Sequence, residues 1–138
     1  MEEDKKIRVL HVEDNPAHAD LVRRQLTRGR SDIDLVQFPD GEAALRYLKS
    51  GARPKLVLLD LRLPKVDGLD VLRQLKDDPE TSRIPVVVLS TSSAADDMRA
   101  AYRNGANGYL IKPLEFEHFR EMIASLCHFW LDWNVEPA

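Results

Sequence analysis

A run of four apolar residues that ends on a carboxylate constrains the fold of this chain more than any other stretch. Leu56–Leu59 shows no polar alternation, which is typical of a strand covered on both faces in a parallel sheet. Asp60 follows directly, and Pro64 and Gly68 keep the next segment a loop. Ligands of open α/β sheets bind just outside the carboxyl ends of the strands, so Asp60 is placed for chemistry. Taken alone, the pattern fits equally well an aspartate that only caps a loop.

Apolar stretches and helical patterns alternate along the whole chain. This alternation predicts an α/β fold, with a five-stranded parallel sheet, right-handed crossovers and helices on both faces. Ser93 and Asp96 resemble a capping box at the start of the fourth helix. The predicted strands are 7–12, 32–38, 56–59, 85–89 and 108–111, and the predicted helices are about 16–28, 41–49, 68–76, 94–103 and 115–130.

Length and composition limit the class of protein. The 138 residues suggest one domain, 1–138, without repeats or linkers. A net charge of −3 gives no electrostatic case for nucleic-acid binding, and no apolar run approaches the ~20 residues of a membrane span. The charged N-terminus lacks the apolar core of a signal peptide, and Cys127 is the only cysteine. We therefore expect a cytoplasmic protein without internal disulfides.

Polar residues follow four of the five predicted strands. They are Glu13 and Asp14 after the first strand, Asp60 after the third, Ser90 after the fourth and Lys112 after the fifth. Each of them alone also fits a helix cap, a turn or a surface lysine. All these strand ends lie on one rim of a parallel sheet, however, and the combination indicates a site.

The chemistry of this rim follows from its charges. Two carboxylates about 4 Å apart repel each other by roughly 4 kcal/mol at an effective dielectric constant near 20, so they either take up protons or share a cation. Oxygen ligands suit a hard cation such as Mg²⁺. A carboxylate nucleophile, a divalent metal, a lysine and a hydroxyl are the parts needed to receive a phosphoryl group.

The sequence resembles the receiver domain of two-component response regulators. Asp60 lies 30 residues before Ser90 and 52 residues before Lys112, the spacing of that family. The resemblance covers about 7–126, with an extended C-terminal helix and aromatic tail over about 127–138. The matching motifs are Val-Glu-Asp-Asn (12–15), Asp-Gly-Glu-Ala-Ala-Leu (40–45), Leu-Leu-Asp-Leu-Arg-Leu-Pro (58–64), Asp-Gly (67–68), Pro-Val-Val-Val-Leu-Ser (85–90) and Lys-Pro (112–113).

This resemblance implies a flavodoxin-like three-layer sandwich with the strand order 2-1-3-4-5 and five helices. Asp60 would be the phosphoacceptor. Glu13 and Asp14, together with Asp60 and the backbone carbonyl of Arg62, would hold Mg²⁺. Arg62 lies two residues past the acceptor, where a side chain influences the lifetime of the phosphoryl group.

The family also implies roles for residues at the ends of the fourth and fifth strands. Ser90 and Lys112 would contact the phosphoryl group. Ser90 and Tyr109 would form the conformational switch, in which an inward movement of Ser90 lets Tyr109 turn inward. The peptide bond between Lys112 and Pro113 would be cis.

The C-terminal tail is rich in aromatic residues and resembles the stand-alone regulators paired with bacterial phytochrome histidine kinases. Phe129, Trp130 and Trp133 add apolar area beyond what covers one small sheet. We therefore expect a homodimer formed by the fourth helix, fifth strand and last helix, besides a sensor kinase and an unknown downstream protein as partners. The tail folding back over its own domain is the alternative.

Three other functions are alternatives to a signalling receiver. A receiver can act as a phosphoryl shuttle or phosphate sink in a phosphorelay, and the sequence does not separate these from a signalling role. A magnesium-dependent phosphatase of the haloacid-dehalogenase type needs an acid two residues after its nucleophile, and Arg62 occupies that position. A nucleotide-binding domain needs a glycine-rich loop after the first strand, where Glu13 and Asp14 would repel phosphate.

Overall fold

The computed structural model describes residues 6–135 and contains the predicted α/β fold. Five parallel strands form one sheet in the order β2-β1-β3-β4-β5. Within the described residues, no helix has the length and hydropathy needed to cross a membrane. The strands are β1 (Ile7–Val12), β2 (Ile33–Phe38), β3 (Leu56–Leu59), β4 (Val86–Ser90) and β5 (Gly108–Ile111), and the helices are α1 (Pro16–Thr27), α2 (Gly41–Lys49), α3 (Gly68–Asp77), α4 (Ala95–Arg103) and α5 (Phe116–Cys127).

Helices cover the sheet on both faces, which gives three layers and two apolar cores. Successive side chains of a strand point to opposite faces, so Leu56 and Leu58 of β3 join one core while Val57 and Leu59 join the other. The first core contains buried residues of α1 and α5, and the second contains those of α2, α3 and α4. All four residues of β3 are fully buried, as the unbroken apolar run predicts.

A glycine holds the segment after β3 close to the next helix. A Cβ atom on Gly68 would lie 2.1 Å from the carbonyl oxygen of Asp60. The amide of Gly68 donates a hydrogen bond to the carbonyl of Leu61 at 2.9 Å. The backbone of Asp60 is therefore fixed against the start of α3 by an approach that only glycine permits.

The start of α4 differs from the prediction. Its N-cap residue is Ala94, which offers no side-chain hydrogen bond. The prediction of a capping box formed by Ser93 and Asp96 is therefore wrong. Ser92 takes over the capping role. Its Oγ accepts a hydrogen bond from the amide of Ala94 at 3.2 Å and donates one to Asp97 at 2.5 Å. The capping hydroxyl thus lies one residue earlier, in the loop that leaves β4.

The predicted cis bond between Lys112 and Pro113 is also wrong, because residues 6–135 contain no cis peptide bond. The trans form of a bond before proline is favoured by about 0.5–1 kcal/mol when nothing else selects the cis form. The amide of Lys112 donates to the carbonyl of Ser90 at 2.7 Å. The β4–β5 pairing therefore extends to Lys112 and delivers the lysine to the rim with an ordinary trans bond.

The tail takes a different path from the predicted helix to Trp130. The α-helix ends at Cys127 and continues as a π-helical segment, His128–Trp133. This segment is closed by Asn134, whose amide donates to the carbonyl of Phe129. Leu131 is buried, Trp130 is partly buried, and Arg30 bonds Asp132 at 3.1 Å. The tail therefore packs partly against its own domain. Phe129 and Trp133 stay 53% and 68% exposed.

Candidate functional site

Three carboxylates meet at the carboxyl ends of β1 and β3. These strands are neighbours, with Val12 paired to Leu59, and the amide of Asp60 donates to the carbonyl of Val12 at 3.1 Å. One oxygen from each of Glu13, Asp14 and Asp60 lies within 4.8 Å of the others. Glu13 is buried, Asp60 is partly buried and Asp14 is exposed. The predicted cluster is therefore present as a geometric unit.

Lys112 supplies the positive charge at this cluster from the end of β5. Its side chain is only 4% exposed. The ammonium donates to Glu13 Oε1 at 2.6 Å and lies 3.8 Å from Asp60 Oδ2. Lys112 thus forms a buried ion pair with Glu13 and attracts Asp60 at slightly longer range. A buried lysine needs such partners, because an unpaired charge in the interior is costly.

The surroundings of Asp60 disfavour the ionised form of its carboxyl group. Burial raises the pKa of Asp60, Lys112 opposes this effect and the neighbouring Glu13 adds to it, so that the pKa lies at about 6. The amide of Arg62 lies 3.5 Å from Asp60 Oδ1, a long contact that stabilises the charge weakly. The ionised form of Asp60 therefore gains from any additional cation.

The donor set fits a hard divalent cation. Glu13 Oε1 bonds Lys112 and its Oε2 accepts from the amide of Asn15 at 3.2 Å, so both oxygens of Glu13 already have partners. Asp14 is exposed, which suits a metal ligand shared with water. Asp60 and Asp14 are the carboxylates with most freedom to bind an ion directly. Three carboxylates and no sulfur favour Mg²⁺ or Mn²⁺ over softer metals.

The two predicted switch residues meet at the loop that follows β4. Ser90 is buried, and its Oγ accepts a hydrogen bond from the amide of Ser92 at 3.0 Å. Tyr109 is partly buried, and its hydroxyl donates to the carbonyl of Ser92 at 3.0 Å. The structure therefore connects Ser90 and Tyr109 through one residue, Ser92, that the sequence did not single out.

Arg62 and α4 are joined by an ion pair that the sequence also did not reveal. The guanidinium of Arg62 lies 3.0 Å from Asp97 Oδ2, and the hydroxyl of Ser92 donates to the same oxygen. The hydrogen bond from Ser92, together with Arg62, lowers the pKa of Asp97. Arg62 and Asp97 are 35 residues apart in the sequence, so no local pattern predicts this contact.

Two histidines complete the surroundings of the cluster. His11 is 1% exposed in β1, where burial lowers the pKa of its imidazole to about 3. Gln37 donates to His11 Nδ1 at 3.0 Å, so the remaining ring N–H is on Nε2, 4.0 Å from Glu13 Oε1. His18 Nδ1 lies 3.1 Å from the ammonium of Lys112. Sequence reasoning missed both; a histidine inside an apolar strand was the signal for His11.

Comparisons with known proteins agree with this geometry. The family described as "Response regulator receiver domain" matches residues 9–124. A probable methanogenesis regulatory protein, FilR2 of Methanothrix harundinacea, is 48% identical and the match covers 94% of this chain and 87% of that protein. Response regulator Rcp1 of Synechocystis is 40% identical over 94% of this chain and 92% of its own length.

Solved structures are similar over the same range. The phosphorylated cyanobacterial phytochrome response regulator RcpA has a TM-score of 0.92 and 36% identity, covering 96% of this chain and 99% of that chain. The Mn²⁺-bound form of Rcp1 has a TM-score of 0.89 and 39% identity, covering 95% and 99%.

The sheet, the acidic cluster at its rim and these similarities together identify a receiver domain of a response regulator. The chain belongs to the response regulator receiver domain family.

The raised pKa of Asp60 predicts how its charge affects stability without metal. The folded-state pKa lies above the unfolded value, so Asp60 favours folding only while protonated, and this contribution is lost as the pH rises through about 6. In chelator at pH 7.5, Asp60→Asn should be more stable than wild type by about 1–2 kcal/mol, after allowance for solvent screening. The difference should disappear near pH 4.

Urea unfolding followed by circular dichroism measures both free energies. Asp77→Asn, an exposed aspartate at the end of α3, is the matched control and should change stability little. Saturating Mg²⁺ should stabilise wild type and reduce the advantage of Asp60→Asn. A less stable Asp60→Asn in chelator at pH 7.5 would contradict the account.

Proposed function

We propose that this response regulator acts as a single-domain protein in the cytoplasm and accepts a phosphoryl group on Asp60 from a histidine kinase. The observation that carries the proposal is the convergence of Asp14, Asp60 and Lys112, which follow three different strands, at one rim of the sheet. A partly buried carboxylate beside a cation is suited to nucleophilic attack on phosphorus. The protein then assists its own phosphorylation and dephosphorylation and is otherwise not an enzyme.

The proposed transfer exchanges one bond for another. An oxygen of Asp60 attacks the phosphorus of the kinase phosphohistidine, a P–O bond forms, the P–N bond breaks, and the imidazole leaves with its electron pair. Lys112 is held at 3.8 Å from Asp60, from where its ammonium can approach the equatorial phosphoryl oxygens. This lysine offsets charge that develops on them during the transfer.

We propose that Asp14, Asp60 and the backbone carbonyl of Arg62 hold Mg²⁺, with Glu13 nearby and engaged mainly with Lys112. The Mn²⁺-bound form of the relative Rcp1 supports a divalent cation, and the carboxylate donors suit Mg²⁺. When bound, the ion would neutralise charge on the phosphoryl oxygens.

The switch is proposed to run through Ser90, Ser92 and Tyr109. A phosphoryl group on Asp60 would offer the hydroxyl of Ser90 a charge-assisted hydrogen bond worth about 1.5–3 kcal/mol. Ser90 Oγ accepts from the amide of Ser92, whose carbonyl accepts from Tyr109. A pull on Ser90 therefore shifts the same loop residue that holds Tyr109, and a change of this size moves a two-state equilibrium about tenfold or more.

The partner kinase is proposed to be a phytochrome. This rests on the similarity to Rcp1 and to RcpA, which is itself a phytochrome response regulator. The downstream partner is an unidentified protein that reads the surface next to Tyr109. Phosphotransfer rates from purified candidate kinases rank the possible partners.

Direct labelling tests the proposed acceptor. Incubation with acetyl phosphate and Mg²⁺ should add one phosphoryl group to wild type by intact mass, because Asp60 is the partly buried nucleophile. Asp60→Asn should take up none, and excess chelator should abolish labelling of wild type. Asp77→Asn, the exposed control, should label like wild type. Equal labelling of Asp60→Asn, or full labelling in chelator, would overturn the proposal.

We further propose that α4, β5 and α5 form a homodimer face. In the described part of the chain β5 is an edge strand, and edge strands expose unpaired backbone groups. A groove beside it is lined by Gly108, Leu110, Met122 and Phe129, among others. Exposed Phe129 and Trp133 extend this apolar surface, and a two-fold symmetric pair is the simplest arrangement that covers it.

The dimer has a direct test. Phe129→Ala combined with Trp133→Ala should convert a dimer to a monomer by analytical ultracentrifugation, because both side chains are exposed and contribute little to the core of one chain. Phe116→Ala is the control, since this residue is 60% exposed but lines a different groove, beside α1. A wild-type chain that stays monomeric at high micromolar concentration, with and without acetyl phosphate, rules the dimer out.

A further inference from the structure

We propose that His18 is a positioning residue that directs the ammonium of Lys112 toward the phosphoryl group received by Asp60. The proposal rests on the proposed phosphoacceptor function and adds to it a residue outside the acidic cluster. His18 belongs to α1, whereas Lys112 follows β5 and Asp60 follows β3. Within the site, His18 contacts Lys112, so it would affect the phosphoryl transfer only by orienting that lysine.

The ring of His18 is held in place from two sides. Its backbone amide donates to Asn15 Oδ1 at 3.2 Å, which fixes the residue in the first turn of α1. Its imidazole packs edge-on against Phe119 of α5, with ring centroids 5.4 Å apart and an interplanar angle of 71°. A ring confined in this way presents Nδ1 to Lys112 in one orientation.

The chemistry of the contact assigns the proton. A lysine ammonium has three N–H donors and no acceptor, so His18 Nδ1 must accept from Lys112 Nζ across the 3.1 Å contact. This requires a neutral imidazole with its proton on Nε2. Burial, followed by the charge of Lys112, lowers the pKa of His18, in agreement with that form.

The ammonium is therefore oriented by two acceptors. One N–H donates to Glu13 Oε1 at 2.6 Å and a second donates to His18 Nδ1 at 3.1 Å. Because the three N–H bonds are arranged tetrahedrally, fixing two of them fixes the third. The remaining donor is available to the third neighbour, Asp60, whose Oδ2 is 3.8 Å away. This third N–H is therefore the donor left for an oxygen of a phosphoryl group on Asp60.

The alternative is that His18 merely fills space between α1 and α5. Two substitutions separate the roles. Leucine keeps the apolar contact with Phe119 but lacks an acceptor. Asparagine places an amide oxygen where Nδ1 stands and keeps the acceptor. A packing role predicts that His18→Leu is the better tolerated substitution, whereas a positioning role predicts the reverse.

The experiment compares these variants in phosphorylation by acetyl phosphate at saturating Mg²⁺, followed by intact mass. His18→Leu should slow phosphorylation about fivefold to thirtyfold, because one of the two hydrogen bonds that orient Lys112 is lost. His18→Asn should stay within about threefold of wild type. The Mg²⁺ dissociation constant, measured by calorimetry, should change less than about twofold in both variants, since His18 touches no carboxylate of the cluster.

A double-mutant cycle with Lys112→Met completes the test. In that background, His18→Leu should change the slow residual rate less than twofold. An equal slowing with and without Lys112, or equal rates of wild type and His18→Leu, would overturn the role of His18. Either result leaves labelling of wild type at Asp60 intact, so it is distinct from failure of the phosphoacceptor function itself.

Discussion

The buried ion pair between Lys112 and Glu13 is the interaction on which the rest of the site depends. It places one positive charge, 4% exposed, beside Glu13 and 3.8 Å from Asp60. Without a cation, carboxylates this close would protonate or separate. With Lys112 in place, Asp60 remains only partly compensated, as its raised pKa shows. This residual deficit of positive charge makes the site receptive to a divalent ion.

The parallel sheet gives this ion pair its geometry. Glu13 and Asp60 follow neighbouring strands, and Lys112 is carried to the same rim because its amide continues the pairing of β5 with β4. Gly68 lets α3 begin against the backbone of Asp60. The contacts of Ser92 with Ser90 and Tyr109 then connect the rim to the loop before α4. In the proposed switch, a phosphoryl group on Asp60 would act on Ser90, and the hydrogen bonds of Ser92 would carry that change to Tyr109.

Local patterns in the sequence were sufficient for the alternation of strands and helices and for the strand-end acids, whereas the strand order came from the family resemblance. The unbroken apolar run before Asp60 lies within a single strand. The spacing from Asp60 to Lys112 is a distance along the chain. Both features can therefore be read directly from the sequence. Contacts between side chains distant in the sequence were not predictable in this way, as His18 with Lys112 and Arg62 with Asp97 show. The cis bond before Pro113 was predicted from the family resemblance alone, and the residues around it carry no local signal for either isomer.

The affinity for Mg²⁺ tests most directly whether Lys112 offsets the charge of the carboxylate cluster. Calorimetric titration at pH 8 should show that Lys112→Met binds Mg²⁺ about tenfold more tightly than wild type, because a competing positive charge beside Glu13 and Asp60 is gone. Lys112→Arg, which keeps the charge, should stay within a few fold of wild type. An unchanged or weaker affinity of Lys112→Met would contradict the account.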